Sequence, residues 1–220
     1  MEHTPEVIAK LIADLQDEDD FTRSQAAFAL GVLGEPAVPS LLPLLNAPTR
    51  DMRLRAAWTL GVIGGPAVPA LLKLMEQKNR QLRIEAIRIL GVIGEARAIN
   101  HLIKALNDFD PEIAARAARS LGKIGDPRAL DALVAALKNP EADIRYEAAT
   151  ALGMLHVPES VPLLEQAYAI EHEETTWGAS VKLSLERAIN DAKMPRDRSF
   201  AAELAKLTQV LEERAKHDEQ

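Results

Sequence analysis

The chain has 220 residues, of which 47% are apolar but only 4% aromatic, and it carries a formal net charge of −7. A core of the size this length allows must therefore be built from Ala, Leu, Val and Ile, a composition that suits packed helices. The absence of cysteine excludes disulfides, thiol catalysis and Cys-based zinc or iron–sulfur sites, and the net acidity argues against a general affinity for nucleic acid or an anionic membrane.

No charged-then-apolar leader opens the sequence, and no uninterrupted apolar run approaches the ~20 residues of a membrane span, so a cytoplasmic location is expected. From Pro5 onward the chain alternates two kinds of segment. One carries apolar residues at three- and four-residue spacings; the other is alanine- and leucine-rich and ends in Leu-Gly-x-Ile/Leu. The first glycine of that marker falls at Gly31, Gly61, Gly91, Gly122 and Gly153, a period of 30, 30, 31 and 31 residues. Self-similarity at this period identifies a stacked repeat array.

The unit from Pro36 to Gly64 shows how one repeat is expected to fold. Val38, Leu41, Leu42 and Leu45 share one face of a first helix, A, which opens with proline, where a missing N–H is harmless. After a turn at Ala47-Pro48-Thr49, a second helix, B, places Ala56, Ala57, Leu60 and Ile63 on one stripe and stops at Gly64-Gly65-Pro66. The copies align in columns. Leu11, Leu41, Leu71, Leu102, Leu133 and Leu164 form one, and Ile8, Val38, Val68, Ile99, Leu130 and Val161 another. The small column Ala26, Ala56, Ala86, Ala117 and Ala148 permits close helix approach, and Leu30, Leu60, Leu90, Leu121 and Leu152 fill the space between layers. Proline opens helix A at Pro5, Pro36, Pro66, Pro127 and Pro158, with Ala96 as the exception. The Gly-x-x-Gly markers end helices, where the dipole disfavours anions, so they are expected to be C-terminal caps and not phosphate cradles.

The sixth unit departs from the pattern. Counting 31 residues on from Gly153 puts Leu183 at the leucine position and Ser184 where glycine belongs, and the column Ile12, Leu42, Leu72, Ile103, Val134 ends in Glu165. The expected organisation is a repeat array over 1–192, a linker over 193–198 and a C-terminal capping or docking helix over 199–220, with Phe200, Leu204, Leu207 and Leu211 along one stripe.

These repeats resemble the short, roughly thirty-residue HEAT-like repeat associated with phycobilisome lyases. The resemblance covers five clear units from about Pro5 to His156 and a degenerate sixth. It implies an all-α fold, a right-handed α-solenoid of stacked helix pairs, with the second helices lining a concave surface. Relative to each marker glycine, positions ten, six and three before it and one after it share the exposed face of helix B. They are Phe21, Gln25, Phe28 and Val32; Asp51, Arg55, Trp58 and Val62; Gln81, Glu85, Arg88 and Val92; Glu112, Arg116, Arg119 and Lys123; and Asp143, Glu147, Thr150 and Met154.

Phe28, Arg55, Trp58, Arg88, Arg116, Arg119 and Lys123 are the candidate partner-binding residues. If exposed, Phe28 and Trp58 form an aromatic patch beside a run of guanidinium groups, the composition of an interaction hot spot; the alternative is that both rings fold back between helices. A second column, Arg23, Arg53, Arg83 and Arg145, broken by Ala114, is expected to satisfy turn carbonyls and acidic neighbours. Five acids, Asp51, Glu85, Glu112, Asp143 and Glu147, balance five bases on the B surface. A nucleic-acid groove needs excess positive charge, so a protein segment is the expected partner, with neither nucleic acid nor membrane.

No catalytic constellation is recognisable. Some proteins of this repeat class hold iron through His-Glu pairs at the start of second helices, but the matching dipeptides here are Ser24-Gln25, Leu54-Arg55, Ile84-Glu85, Ala115-Arg116 and Tyr146-Glu147. Only His172-Glu173 has the right composition, and one pair supplies too few ligands. Trp58, Trp177, Arg88 and Asp51 can be assembled into a glycosylase-like cleft only against the acidic balance. The expectation is a non-catalytic scaffold or assembly factor without metal or cofactor. The alternative implied by the resemblance is a bilin lyase or chromophore-handling chaperone, with Arg55 and Arg88 on the propionates and Trp58 stacked on the chromophore.

Overall fold

The computed structural model describes residues 4–194, and these fold as six consecutive helix pairs. In chain order they are α1 (Pro5–Asp14) with α2 (Asp20–Leu33), α3 (Val38–Leu41) with α4 (Arg50–Ile63), and α5 (Val68–Met75) with α6 (Arg80–Ile93). The series continues with α7 (Ile99–Ala105) and α8 (Pro111–Ile124), α9 (Leu130–Ala136) and α10 (Ala142–Leu155), and α11 (Val161–Ile170) and α12 (Val181–Lys193). The even-numbered helices pack in series, α2 on α4 through to α10 on α12, while most odd-numbered helices pack on their own partner. This is an all-α solenoid of two helical layers. From residue 195 onward, the expected linker and the final helix lie outside the described residues.

Local chemistry repeats with the helices. Asp19, Thr49, Asn79 and Asp110 stand at the N-caps of α2, α4, α6 and α8, where a side-chain oxygen accepts an orphan amide of the first turn, as Asp19 does from Thr22 at 2.8 Å. The first four even helices, α2, α4, α6 and α8, then stop at the second marker glycine. Gly64, with φ +70° and ψ −133°, occupies a region open essentially to glycine. In the fifth pair His156 takes the left-handed position instead, at φ +50°, and its Nδ1 lies 2.9 Å from the Asp191 carbonyl of α12.

Most of the expected core is buried, while Leu11, Leu130 and Val161 of the helix-A columns are only partly buried and pack against its edge. The columns Ala26, Ala56, Ala86, Ala117, Ala148 and Leu30, Leu60, Leu90, Leu121, Leu152 are all buried, as are Leu41, Leu71, Leu102, Leu133 and Leu164. Three details differ from the sequence reading. First, helix A of the second unit is interrupted: α3 is only four residues long and continues as a 3₁₀ stretch, Leu42–Asn46. Pro43 has no N–H to offer the carbonyl of Pro39, so the last turn tightens. Second, the later prolines sit in 3₁₀ turns before the odd helices, as in Gly65–Ala67, and the chain bends by 111° there between α4 and α5. Third, the two marker glycines do different work. The second is the cap, but the first lies inside the helix at the seam between layers: a Cβ on Gly122 would stand 2.6 Å from the Ala151 Cα.

The sixth pair contains a true second helix, displaced from its expected register. Ten residues, Glu171–Ser180, separate α11 from α12, so the 31-residue count reaches Ser184 in the first turn of α12 and leaves Leu183 exposed. The insertion is pinned as a tight turn by an isolated antiparallel bridge between Glu174 and Ser180 and by Gly178 at φ +80°.

Candidate protein-interaction surface

The outward face of the even helices divides into three zones. The first is apolar. Phe21, Phe28 and Val32 of α2, Leu54, Trp58 and Val62 of α4, and Val92 of α6 are all exposed. Phe28 is 66% and Trp58 57% accessible, so neither ring fills a gap between layers. Between α4 and α6 lies an open groove of about 480 Å³, walled by Leu54, Trp58, Val62, Ile89 and Val92 with Arg88 at its edge. The small residues Ala57 and Gly61 also line it.

The second zone is charged but internally compensated. Arg55 pairs with Asp51 one turn earlier and donates to the Leu15 carbonyl at 2.8 Å, which ties the second layer to the first. Arg88 donates twice to Glu85, at 3.0 and 2.7 Å. Arg119 grips Glu147 of the next layer with two nitrogens, one of them at 2.9 Å, and this hydrogen bonding raises the guanidinium pKa against the opposing effect of burial. Glu147 itself is only 4% exposed. Arg116 is held loosely, 3.5 Å from Glu112, and exposed Lys123 has no ion-pair partner among the described residues. Of the seven candidate residues, Phe28, Trp58 and Lys123 are therefore free on the surface, Arg116 is nearly so, and Arg55, Arg88 and Arg119 are engaged.

The third zone was not legible as a site in the sequence. The Glu171–Ser180 insertion folds back onto α10: Asp143 accepts from the Thr176 amide and hydroxyl, both at 2.7 Å, and Trp177 meets the Tyr146 ring edge-on at 5.7 Å. With α8 and α10 it borders an open cleft of about 550 Å³ that Arg80, Glu112, Arg116, Arg119 and Trp177 help to line. Arg80 closes one side by donating to Asp110 at 3.0 Å and to Glu112 at 2.8 Å. The available signal was the run Glu171–Ser180 itself, which breaks helical periodicity and combines Thr175-Thr176 with a glycine.

The second arginine column behaves as expected. Arg23 donates to the carbonyls of Asp17 and Glu18, both at 2.7 Å; Arg53 to Ala47 and Pro48, at 2.8 and 3.1 Å; and Arg145 to Asn139 and Pro140, both at 2.8 Å. Arg83 instead pairs with Asp108 of the following unit. Arg145 also binds Glu171 at 2.7 Å and Glu173 at 2.9 Å, fastening the insertion to α10. This engages the glutamate of the His172-Glu173 pair. Among the described residues no group of three or more His, Asp or Glu is arranged to hold a metal ion, and no single helix is long and apolar enough to cross a membrane.

An array of helix pairs whose exposed face carries aromatic rings and compensated charge is a helical-repeat protein. The chain belongs to the HEAT repeat family, whose model matches residues 38–108 and 99–182. The model of the PBS lyase HEAT-like repeat matches residues 22–47. No curated protein sequence matches the chain. Among solved structures, a chain from the complex of CpcE and CpcF of phycocyanin lyase from Nostoc sp. PCC7120 is similar at 26% identity and a TM-score of 0.60, covering 70% of this chain and 97% of that one. A designed armadillo repeat protein in complex with the peptide (KR)4 is similar at 16% identity and a TM-score of 0.50, covering 84% of this chain and 99% of that one.

Proposed function

We propose that the chain is a non-catalytic protein-interaction scaffold that receives a protein partner on the outward face of its even helices, with Phe28 and Trp58 as anchors. One observation carries the reading. All three described phenylalanines and both tryptophans are more than half exposed, while the buried core contains no aromatic ring. Rings placed outside an aliphatic core bury large area at low entropic cost when a partner covers them, which is why such residues dominate binding hot spots. Because Arg55, Arg88 and Arg119 already have acidic partners on the same surface, the face has no excess positive charge with which to follow a nucleic-acid backbone.

The test is site-specific photo-crosslinking in the native host. A photoreactive phenylalanine at position 58 should yield a discrete protein adduct, and the same group at Ser40, exposed on α3, should not. Adducts from position 40 alone would move the site to the opposite layer.

The similarity to a chain of the phycocyanin lyase complex favours a second reading, a bilin-handling role for the groove at Trp58 and Arg88. Mixing with a free bilin should then shift its visible absorbance in a manner lost in Trp58→Ala. An unchanged spectrum rejects this role and leaves the scaffold standing.

A further inference from the structure

The last helix pair closes the array without help from the C-terminal segment. A Cβ on Gly153 would meet Ala188 as one on Gly122 would meet Ala151, so Ala188 stands in the place of Ala151 and Asn190 in the place of the marker glycine. In this register the buried column Ala27, Ala57, Ile87, Ala118, Ala149 ends in exposed Glu186. On the odd layer the column Ile12, Leu42, Leu72, Ile103, Val134 ends in exposed Glu165, which pairs with Lys193 at 3.1 Å. Leu183 is the single exposed apolar residue of α12. The face on which a seventh pair would stack has thus become polar, as the end of a repeat array must. A cap has little to cover there, which leaves the sequence stripe Phe200, Leu204, Leu207 and Leu211 without a use in capping.

The apolar zone over α2, α4 and α6 matches that stripe in spacing and in chemistry. Val32, Val62 and Val92 form an exposed row with one valine per layer, and Phe28 and Trp58 begin a second row beside it. Packed layers about 8–10 Å apart space each row at close to the rise of seven helical residues, about 10.5 Å. The stripe recurs at that interval, from Phe200 to Leu207 and from Leu204 to Leu211. An extended segment fits less well. Its amides and carbonyls would face side chains without hydrogen-bonding groups, and Arg55 and Arg88 at the margin are already paired with Asp51 and Glu85; a helix satisfies its backbone internally. Reach then decides which copy supplies the helix. Three layer spacings separate α12 from α6, about 24–30 Å, whereas the chain from Met194 to Phe200 spans at most about 20–22 Å when fully stretched. We infer that residues 199–220 of one copy of the chain lie as an amphipathic helix across α2, α4 and α6 of a second copy, with Trp58 as the central anchor. The inference rests on the even-helix face being the docking surface and names its occupant in the isolated chain, one that any other partner must displace.

Sedimentation velocity of the full chain over a range of concentrations tests this. The wild type should associate as concentration rises. Trp58→Ala, which alters the face, and Leu204→Asp with Leu211→Asp, which alters the stripe, should each weaken association by about thirtyfold or more, the scale of a hot-spot residue. Far-UV circular dichroism should show both variants folded, since Trp58 is exposed and the stripe lies outside the packed array. An equimolar mixture of the two variants should associate again, but only into pairs, because each supplies the element that the other lacks. A wild type that stays monomeric, association indifferent to either variant, or a mixture that stays monomeric overturns the assignment. Capture of a host protein by the photoreactive group at position 58 then leaves the partner surface standing. Conversely, association with both dependences and rescue in the mixture, while position 58 captures only a second copy of the chain, keeps the inference and removes the separate partner.

Discussion

The marker glycines show how one residue column can hold opposite constraints. At Gly122 an added methyl would stand 2.6 Å from the Cα of Ala151, backbone that cannot rotate away, whereas at Gly61 the nearest atom is the Val92 Cγ1 at 3.5 Å, an ordinary contact. Gly122→Ala should therefore destabilise by about 1–3 kcal/mol through overpacking. Gly61→Ala should be neutral or stabilise by up to about 1 kcal/mol, the helix propensity of alanine over glycine. Urea denaturation followed by far-UV circular dichroism distinguishes the two signs. The same measurement on Leu71→Ala should show a loss of about 2–5 kcal/mol, since Leu71 is fully buried in the stacking column and the neighbouring layers cannot collapse into the space. These positions were legible in the sequence as a repeated glycine and a repeated leucine. Which glycines tolerate a methyl was not, because it depends on the rotation of the adjacent layer.

Among the elements, the Glu171–Ser180 insertion is where the repeat logic gives way. Five helix pairs could be read from spacing alone because each buries the same faces at the same interval. The sixth was legible only as a degenerate unit in the wrong register, because no glycine marks its second helix and the inserted turn shifts α12 along the chain. The turn is held by two attachments that can be tested separately. Asp143→Ala removes the acceptor of the Thr176 amide and hydroxyl. Amide exchange over 174–179 should then accelerate while the melting temperature changes little, because the remaining contacts of α12 with α10 are intact. The second attachment is pH-dependent. Burial opposes ionisation of Glu171, but the Arg145 guanidinium and the amides of Glu173 and His172 outweigh it and hold the carboxyl below its ordinary value of about 4.5. A carboxylate whose pKa is lowered by folding contributes stability that is complete above its unfolded value and is lost as pH falls through the folded one. The stability difference between the wild type and Glu171→Gln should accordingly be about 1.5–3 kcal/mol at pH 6 and close progressively in more acidic buffer. A difference that stays constant down to pH 2.5 would show that the ion pair contributes nothing.

For the molecule as a whole, the separation of an aliphatic interior from an aromatic exterior makes folding and recognition nearly independent. Trp58→Ala combined with Arg88→Ala should reduce affinity for the crosslinked partner by at least a hundredfold, the scale of a hot-spot anchor. Helicity and melting should persist, because Trp58 is exposed and the pair between Arg88 and Glu85 is a surface one. Retained affinity would place recognition elsewhere on the array. The candidate list of Phe28, Arg55, Trp58, Arg88, Arg116, Arg119 and Lys123 was drawn from one helical face, and that face is the outward one. Helical spacing does not reveal which arginines are already taken, because Arg119 is claimed by a glutamate 28 residues away in the next layer. The placement of the indoles also has an optical consequence. With Trp58 and Trp177 both wetted in the folded chain, tryptophan emission should change little as the protein melts and shift to the blue when a ligand shields either ring, so the chain carries its own dye for occupancy and none for unfolding.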